Sequence, residues 1–417
     1  MHPNVTLHSG GLSAVVFLPG ASESYYRSSR FDHGTMVGNM KLGGHTVFGA
    51  NFWRAPHDPT WTESGVGLAS EFGCGEDGHL CGPGWGDSAD NTSTNGVLGY
   101  AEANVGEPFL KIGVGALIKD SCPACGLTGG DDTYKFNSPY RFHERPVWKH
   151  HRLSESAIAM EHTASLPPSD VRGRVGYRVR HTTKLIGGST LTLTTRLENT
   201  GEHIIRTPFY SHHLLAIDDR PTGPRLELAL DLNLTAYNDC LPWAEPLADY
   251  FEHRPDSTWL SATREVAGKT RVKAIYTGAS HHSVGAWEAR YPGRLSVHVE
   301  QSGPLPLYAF SLYVEERTLS PEPIQMLSLA PGEATSVERT VRLTKLAGGA
   351  KEPTSGSVYN QPWVWAWRAA SDHAGFDAPR EQHPTRDGSR FVAHGRASGM
   401  STGAARGTLS VRAQPKR

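Results

Sequence analysis

Residues 207–219 read Thr-Pro-Phe-Tyr-Ser-His-His-Leu-Leu-Ala-Ile-Asp-Asp and carry Tyr210, His212 and His213 on an otherwise apolar stretch. Just upstream, the run STLTLTTRLENTGEH alternates apolar and polar residues until Asn199-Thr200-Gly201 interrupts it. That pattern is a strand, a turn and a second strand. An imidazole held on a rigid sheet can give or take a proton near neutral pH. Adjacent strand residues point to opposite faces, so only one of the two histidines looks to any one side. For a lone histidine the competing reading is a hydrogen-bonded side chain in a core.

Further residues have the right chemistry for a polar site. Arg27, Arg30 and Asp32 follow the aromatic pair Tyr25-Tyr26 in YYRSSRFD. Guanidinium groups offer paired donors to hydroxyls, carboxylates or phosphates, and a structural Arg–Asp pair is the alternative. His143, in YRFHERPVW, is a further candidate to line a cleft. Cys74 and Cys81 lie in FGCGEDGHLCGPGWG, Cys122 and Cys125 in DSCPACGLTGG, and Cys240 stands apart. Two local disulfides, one four-cysteine zinc site and free thiols all fit those spacings. Neither cysteine loop has a catalytic look.

The elements that must position these residues are strands. Residues 5–19 alternate, and HTVFGANFWRAP reads as a strand entering a loop. Residues 55–98 lack periodicity and are rich in Gly, Asp, Ser and Asn, which predicts long loops of the kind that often carry function. FLKIGVGALIK, residues 109–119, reads as one strand. RPVWKHHRL, SAIAMEHTASL and GYRVRHTTKLI then form a meander. It continues through LTLTTRLEN, TPFYSHHLLAI, RLELALDLNL, TRVKAIYTG, RLSVHVEQ, LYAFSLYVEE and ATSVERTVRLTKL. AEPLADYFEH, residues 244–253, is the best candidate for a short helix. The fold class expected is therefore all-β, a large antiparallel two-sheet sandwich.

One such domain would occupy residues 1–346. A linker and an extension bearing Trp363, Trp365 and Trp367 would follow at 347–371, with a disordered tail at 372–417. Ten tryptophans suit a sugar-stacking protein, although core packing accounts for most tryptophans. The 41 basic and 42 acidic residues leave a formal charge of −1, which argues against a nucleic-acid or anionic-membrane partner. No apolar run approaches the roughly 20 residues of a membrane span. The N-terminus has no basic n-region, which favours the cytoplasm or a chain already stripped of a leader. Sequons at Asn4, Asn91 and Asn233 occur at about chance frequency and do not argue for secretion.

Three motifs carry a resemblance: Tyr25-Tyr26-Arg27-Ser28-Ser29-Arg30-Phe31-Asp32, the run from Leu98 to Lys119, and Ser320 to Glu333. With them the chain, over roughly residues 10–345, resembles the galactose mutarotase-like superfamily of aldose 1-epimerases. The resemblance implies a supersandwich fold and an acid/base reaction without cofactor. A carboxylate takes the proton of the anomeric hydroxyl, an imidazolium protonates the ring oxygen, and the opened sugar recloses as the other anomer. On that resemblance His212 falls on the acid position and His213 replaces an asparagine. Glu322, shortly before a Leu-x-Pro-Gly-Glu turn, falls on the base position, with Glu315 and Glu316 as competitors. Glu71 and Lys111 match positions of the narrower group pattern and, with Tyr210, would line the cleft. The second upstream histidine usual in aldose epimerases is missing, because the corresponding region reads Gly99-Tyr100-Ala101-Glu102. A mono- or oligosaccharide is the implied partner, and the oligomeric state is open. The alternatives are a non-catalytic sugar-binding protein on the same fold and a lyase acting on uronic acids, which would use Tyr210, His212 and the two arginines.

Overall fold

The computed structural model describes residues 2–20, 22–49, 57–73, 96–122, 127–128, 134, 138–170, 172–230, 244–254, 259–276, 284–303 and 307–347. These residues all fall within the compact unit Met1–Glu352. The expected tryptophan extension and tail lie outside them. The architecture is all-β, as the alternation predicts. Among the described residues no helix is long and apolar enough to cross a membrane.

Two sheets form the body. The larger has ten strands, and its first four are the meander Trp148–Ser154, Ala157–Leu166, Val175–Ile186 and Thr190–Asn199. Ala334–Lys345 follows, and then Leu295–Ser302, Val284–Tyr291, Glu227–Leu230, Trp259–Ala262 and Phe251–His253. The second sheet has five strands in the order Val272–Tyr276, Leu307–Glu315, Thr318–Leu329, Ile205–His213 and Leu68–Phe72. Every pairing in it is antiparallel. The sheets face each other over one apolar core that includes Val179, Leu193, Val341, Trp287, Phe209, Leu312 and Leu327. The period of two explains this: Tyr177, Val179 and Leu185 are buried while Arg178, Arg180 and Lys184 are exposed.

Four local expectations need correction. Residues 55–98 are not loop throughout, because Leu68–Phe72 is a strand buried at all five positions. Covered on both faces, it has no alternation to betray it. Residues 109–119 are two strands, Pro108–Lys111 and Gly115–Ile118, joined by a tight turn. Gly113 holds φ +77 there, and a Cβ would stand 2.4 Å from the Asp32 carboxylate. The candidate helix at 244–253 is a 3-10 turn, Leu247–Asp249, followed by the strand Phe251–His253. Pairing of Phe251 with Ala262 and His253 with Leu260 takes the place of helical bonds. Finally, Glu322 lies inside the twelve-residue strand Thr318–Leu329 rather than beside a turn.

That strand holds Pro321 and Pro323 between two neighbours, where each lacks the N–H a ladder requires. Their carbonyls serve side chains instead: Pro321 O accepts from His213 Nδ1 at 2.8 Å, and Pro323 O from Gln301 Nε2 at 2.9 Å.

Gly113→Ala combines a left-handed backbone with a clash against Asp32. It is expected to lower stability by more than the roughly 1–2 kcal/mol of the backbone term alone, read from the urea midpoint.

Candidate active site

The register of the five-stranded sheet sets charged residues side by side on its face directed away from the core. Tyr210 stands opposite Glu71, Ser311 opposite Glu322, Tyr313 opposite Ser320, and Lys273 opposite Tyr313. His212, two residues after Tyr210, shares its face. His213 looks the other way, into the core, where its ring meets Trp287 edge-on at 5.2 Å. The segment Tyr25–Asp32 folds over the polar face and brings Arg30 and the Phe31 ring onto His212, the ring centroids 5.1 Å apart. Tyr26 anchors that segment: its hydroxyl accepts from the Arg30 and Phe31 N–H groups and donates to Thr62 O.

His212 Nδ1 lies 2.7 Å from Glu322 Oε1. Oε1 also accepts from Ser320 Oγ at 2.9 Å, while Oε2 accepts from Ser311 Oγ at 2.7 Å and Lys273 Nζ at 3.1 Å. Burial alone would hold Glu322 neutral. Lys273 and His212 overcome it and keep the carboxyl far below the usual carboxylate range. Burial likewise opposes charge on His212, but Glu322 outweighs it and raises the imidazole above its ordinary value. Each partner thus favours the charged form of the other.

A second group adjoins the first. Arg30 Nε donates to Glu71 Oε2 at 3.0 Å, and Arg30 Nη1 pairs with Glu63. Tyr210 OH donates to Glu71 Oε2 at 2.8 Å. Lys111 Nζ lies 3.9 Å from Glu71 Oε1 and donates to Phe72 O. Glu71 is fully buried, yet Arg30, His212 and Lys111 hold its carboxyl below the ordinary value against that burial. Six of the residues expected at a site therefore meet: His212, Glu322, Tyr210, Glu71, Arg30 and Lys111.

Four others do not join them. Asp32 turns toward the ten-stranded sheet, where Oδ2 is 3.0 Å from His181 Nε2 and Oδ1 caps Gly34 N. Arg27 Nη1 donates to Ser22 O at 2.5 Å. His143 is exposed on the strand Phe142–Glu144. His213 belongs to the core, and burial, aided by Arg339, lowers its pKa to about 3. Of the two competing glutamates, Glu315 pairs with Tyr313 OH and Glu316 accepts from Gly268 N at 3.1 Å.

Sequence reasoning missed Lys273, Glu63, Ser311 and Ser320. Lys273 had a signal, as a polar residue at an alternating position of TRVKAIY. Glu63 had none, since it sits in an aperiodic loop. Among the described residues no group of three or more His, Cys, Asp or Glu side chains is placed to hold a metal. Cys74, Cys81, Cys125, Cys240 and the side chain of Cys122 lie outside those residues.

The fold and the cluster together define an all-β sandwich protein with a buried histidine–glutamate pair on one sheet. Solved structures with a similar fold are aldose 1-epimerases and galactose mutarotase-like proteins. A putative aldose 1-epimerase from Escherichia coli K12 has a TM-score of 0.45 at 13% identity, covering 83% of this chain and 100% of that one. A galactose mutarotase-like protein from Clostridium acetobutylicum has a TM-score of 0.44 at 11% identity, covering 83% and 96%. An aldose epimerase homologue from C. elegans has a TM-score of 0.38 at 12% identity, covering 83% and 100%. No family model and no curated protein matches the chain.

The buried histidines set the sign of the pH dependence. Burial lowers His33 to about 4 and His213 to about 3, so the unfolded chain takes up their protons first, near pH 6.5. Stability is then lost as pH falls from about 6.5 toward 4. His212, raised, acts oppositely: its contribution is complete below about pH 6.5 and fades as pH rises through its folded value. The urea midpoint is expected to be lower at pH 5 than at pH 7, and His213→Gln to flatten that slope.

Proposed function

We propose that this protein interconverts the anomers of a reducing sugar by acid/base ring opening, as an aldose 1-epimerase-like isomerase. The observation that carries the reading is the 2.7 Å contact of an imidazole, His212, with a carboxylate, Glu322, on one face of the sheet. His212 is the acid for the ring oxygen and Glu322 the base for the anomeric hydroxyl. Glu322 already accepts four donors, so the hydroxyl must replace one. Lys273 is the most exposed of them, its side chain 14% accessible, and stands at the approach. The substrate class rests on the motif resemblance of Tyr25–Asp32, Leu98–Lys119 and Ser320–Glu333.

A uronate lyase needs a cation free to neutralise the substrate's carboxylate. The Arg30 fork already faces Glu63 and Glu71, which disfavours that reading. A sugar-binding protein without turnover is the second reading, favoured by the saturated Glu322 carboxylate.

Anomer exchange followed by NMR on neutral, acidic and phosphorylated sugars tests these readings. His212→Ala and Glu322→Gln are each expected to slow exchange by about 10²–10⁴-fold. With the imidazolium as the acid, the rate should hold through pH 6.5 and fall as pH rises past the raised value of His212. Unchanged exchange in both variants overturns the roles. Binding without exchange by the wild type supports the second reading instead.

A further inference from the structure

The two ring nitrogens of His212 have different surroundings. Among the described residues Nδ1 faces Glu322, at 2.7 Å, in a charge-assisted bond that fixes the ring. Nε2 lies between two groups of opposite hydrogen-bonding sense. Tyr210 OH is 3.2 Å away and commits its proton to Glu71 Oε2, so its oxygen serves as an acceptor, shared between His212 and Arg30. Arg30 Nη2, 3.3 Å away, can only donate. Glu71 Oε2 itself is 3.8 Å from Nε2. The charged and titratable groups facing the ring are therefore Glu322 from Thr318–Leu329, Glu71 from Leu68–Phe72, Tyr210 from its own strand and Arg30 from the covering segment. Lys273, Lys111 and Glu63 stand one contact further out.

We propose that Nε2 is the atom through which His212 exchanges its proton, with Tyr210 and Arg30 as positioning residues for its two protonation states. With the proton present, Nε2–H donates to Tyr210, whose oxygen is held as an acceptor by Glu71. With the proton gone, Arg30 Nη2–H donates to the bare Nε2. Nδ1–H stays on Glu322 in both states, so proton transfer needs little rearrangement of the surrounding dipoles. The inference rests on the reading of His212 as the acid. In ring opening, the Nε2–H proton passes to the ring oxygen as the bond from that oxygen to the anomeric carbon breaks. The anomeric oxygen keeps its electrons in a new carbonyl, and its proton goes to Glu322. Ring closure reverses each transfer.

NMR of ring nitrogens in the ligand-free, full-length protein tests this without any substrate. Neutral His212 is expected as the Nδ1–H tautomer. Tyr210→Phe removes the acceptor and should lower the His212 titration midpoint by about one pH unit. Arg30→Lys, which keeps a positive charge beside Glu63 and Glu71, removes the fork's donor and should raise the midpoint. A neutral Nε2–H tautomer, or a midpoint unmoved in both variants, overturns the proposal. If Tyr210→Phe does not fold, the tautomer and Arg30→Lys decide. The alkaline limb of anomer exchange should move with the midpoint. A wild type with the expected tautomer and shifts but no exchange on any sugar leaves the proton-transfer atom in place and overturns the isomerase reading alone.

Discussion

A carboxylate that is 1% exposed and still ionised requires compensation from every side, and that requirement organises the polar half of this molecule. Glu322 gets it from His212, Lys273, Ser311 and Ser320, drawn from four strands of one sheet. Glu71 makes the same demand two strands away and is met by Arg30, Tyr210 and Lys111. His212 belongs to both groups. Removing one member of such a buried pair costs about 3–5 kcal/mol because the other charge is stranded. The same arrangement ties the covering segment and the sheet together.

The core side of the sheet obeys the opposite rule. His213, one residue from His212, stays neutral because burial, aided by the nearby Arg339, outweighs the pull of Glu322. Arg339 itself is 1% exposed and makes hydrogen bonds to Gln301 and Ser70 but, among the described residues, no ion pair. Burial lowers its pKa to about 9. A one-residue step along the strand therefore separates an imidazole that holds its proton from one that refuses it. The alternation of a β-strand makes that division sharp.

Alternation made strands of the ten-stranded sheet such as Val175–Ile186 and Thr190–Asn199 legible, whereas Phe251–His253 read as helix and Trp259–Ala262 and Val284–Tyr291 were not read as strands. Val175–Ile186, with Tyr177, Val179 and Leu185 in and Arg178, Arg180 and Lys184 out, is the clearest case. Leu68–Phe72 was not legible, since both of its faces are covered and Glu71 interrupts its apolar run. Prolines are out of place in a central strand, and in Thr318–Leu329 the side chains of His213 and Gln301 use the proline carbonyls instead.

Residue types marked Tyr210, His212 and Arg30 as candidates, the motif resemblance added Glu71, Lys111 and Glu322, and strand alternation separated His212 from His213. Residue types and alternation are local signals. The placing of His212 against Glu322, of Arg30 between Glu63 and Glu71, and of Lys273 on the Glu322 carboxylate joins residues tens to hundreds of positions apart. So does the withdrawal of Asp32 to His181 on the other side. Those choices belong to the tertiary structure. The energy of a buried charge depends on which partners surround it in space, and no spacing along the chain records that.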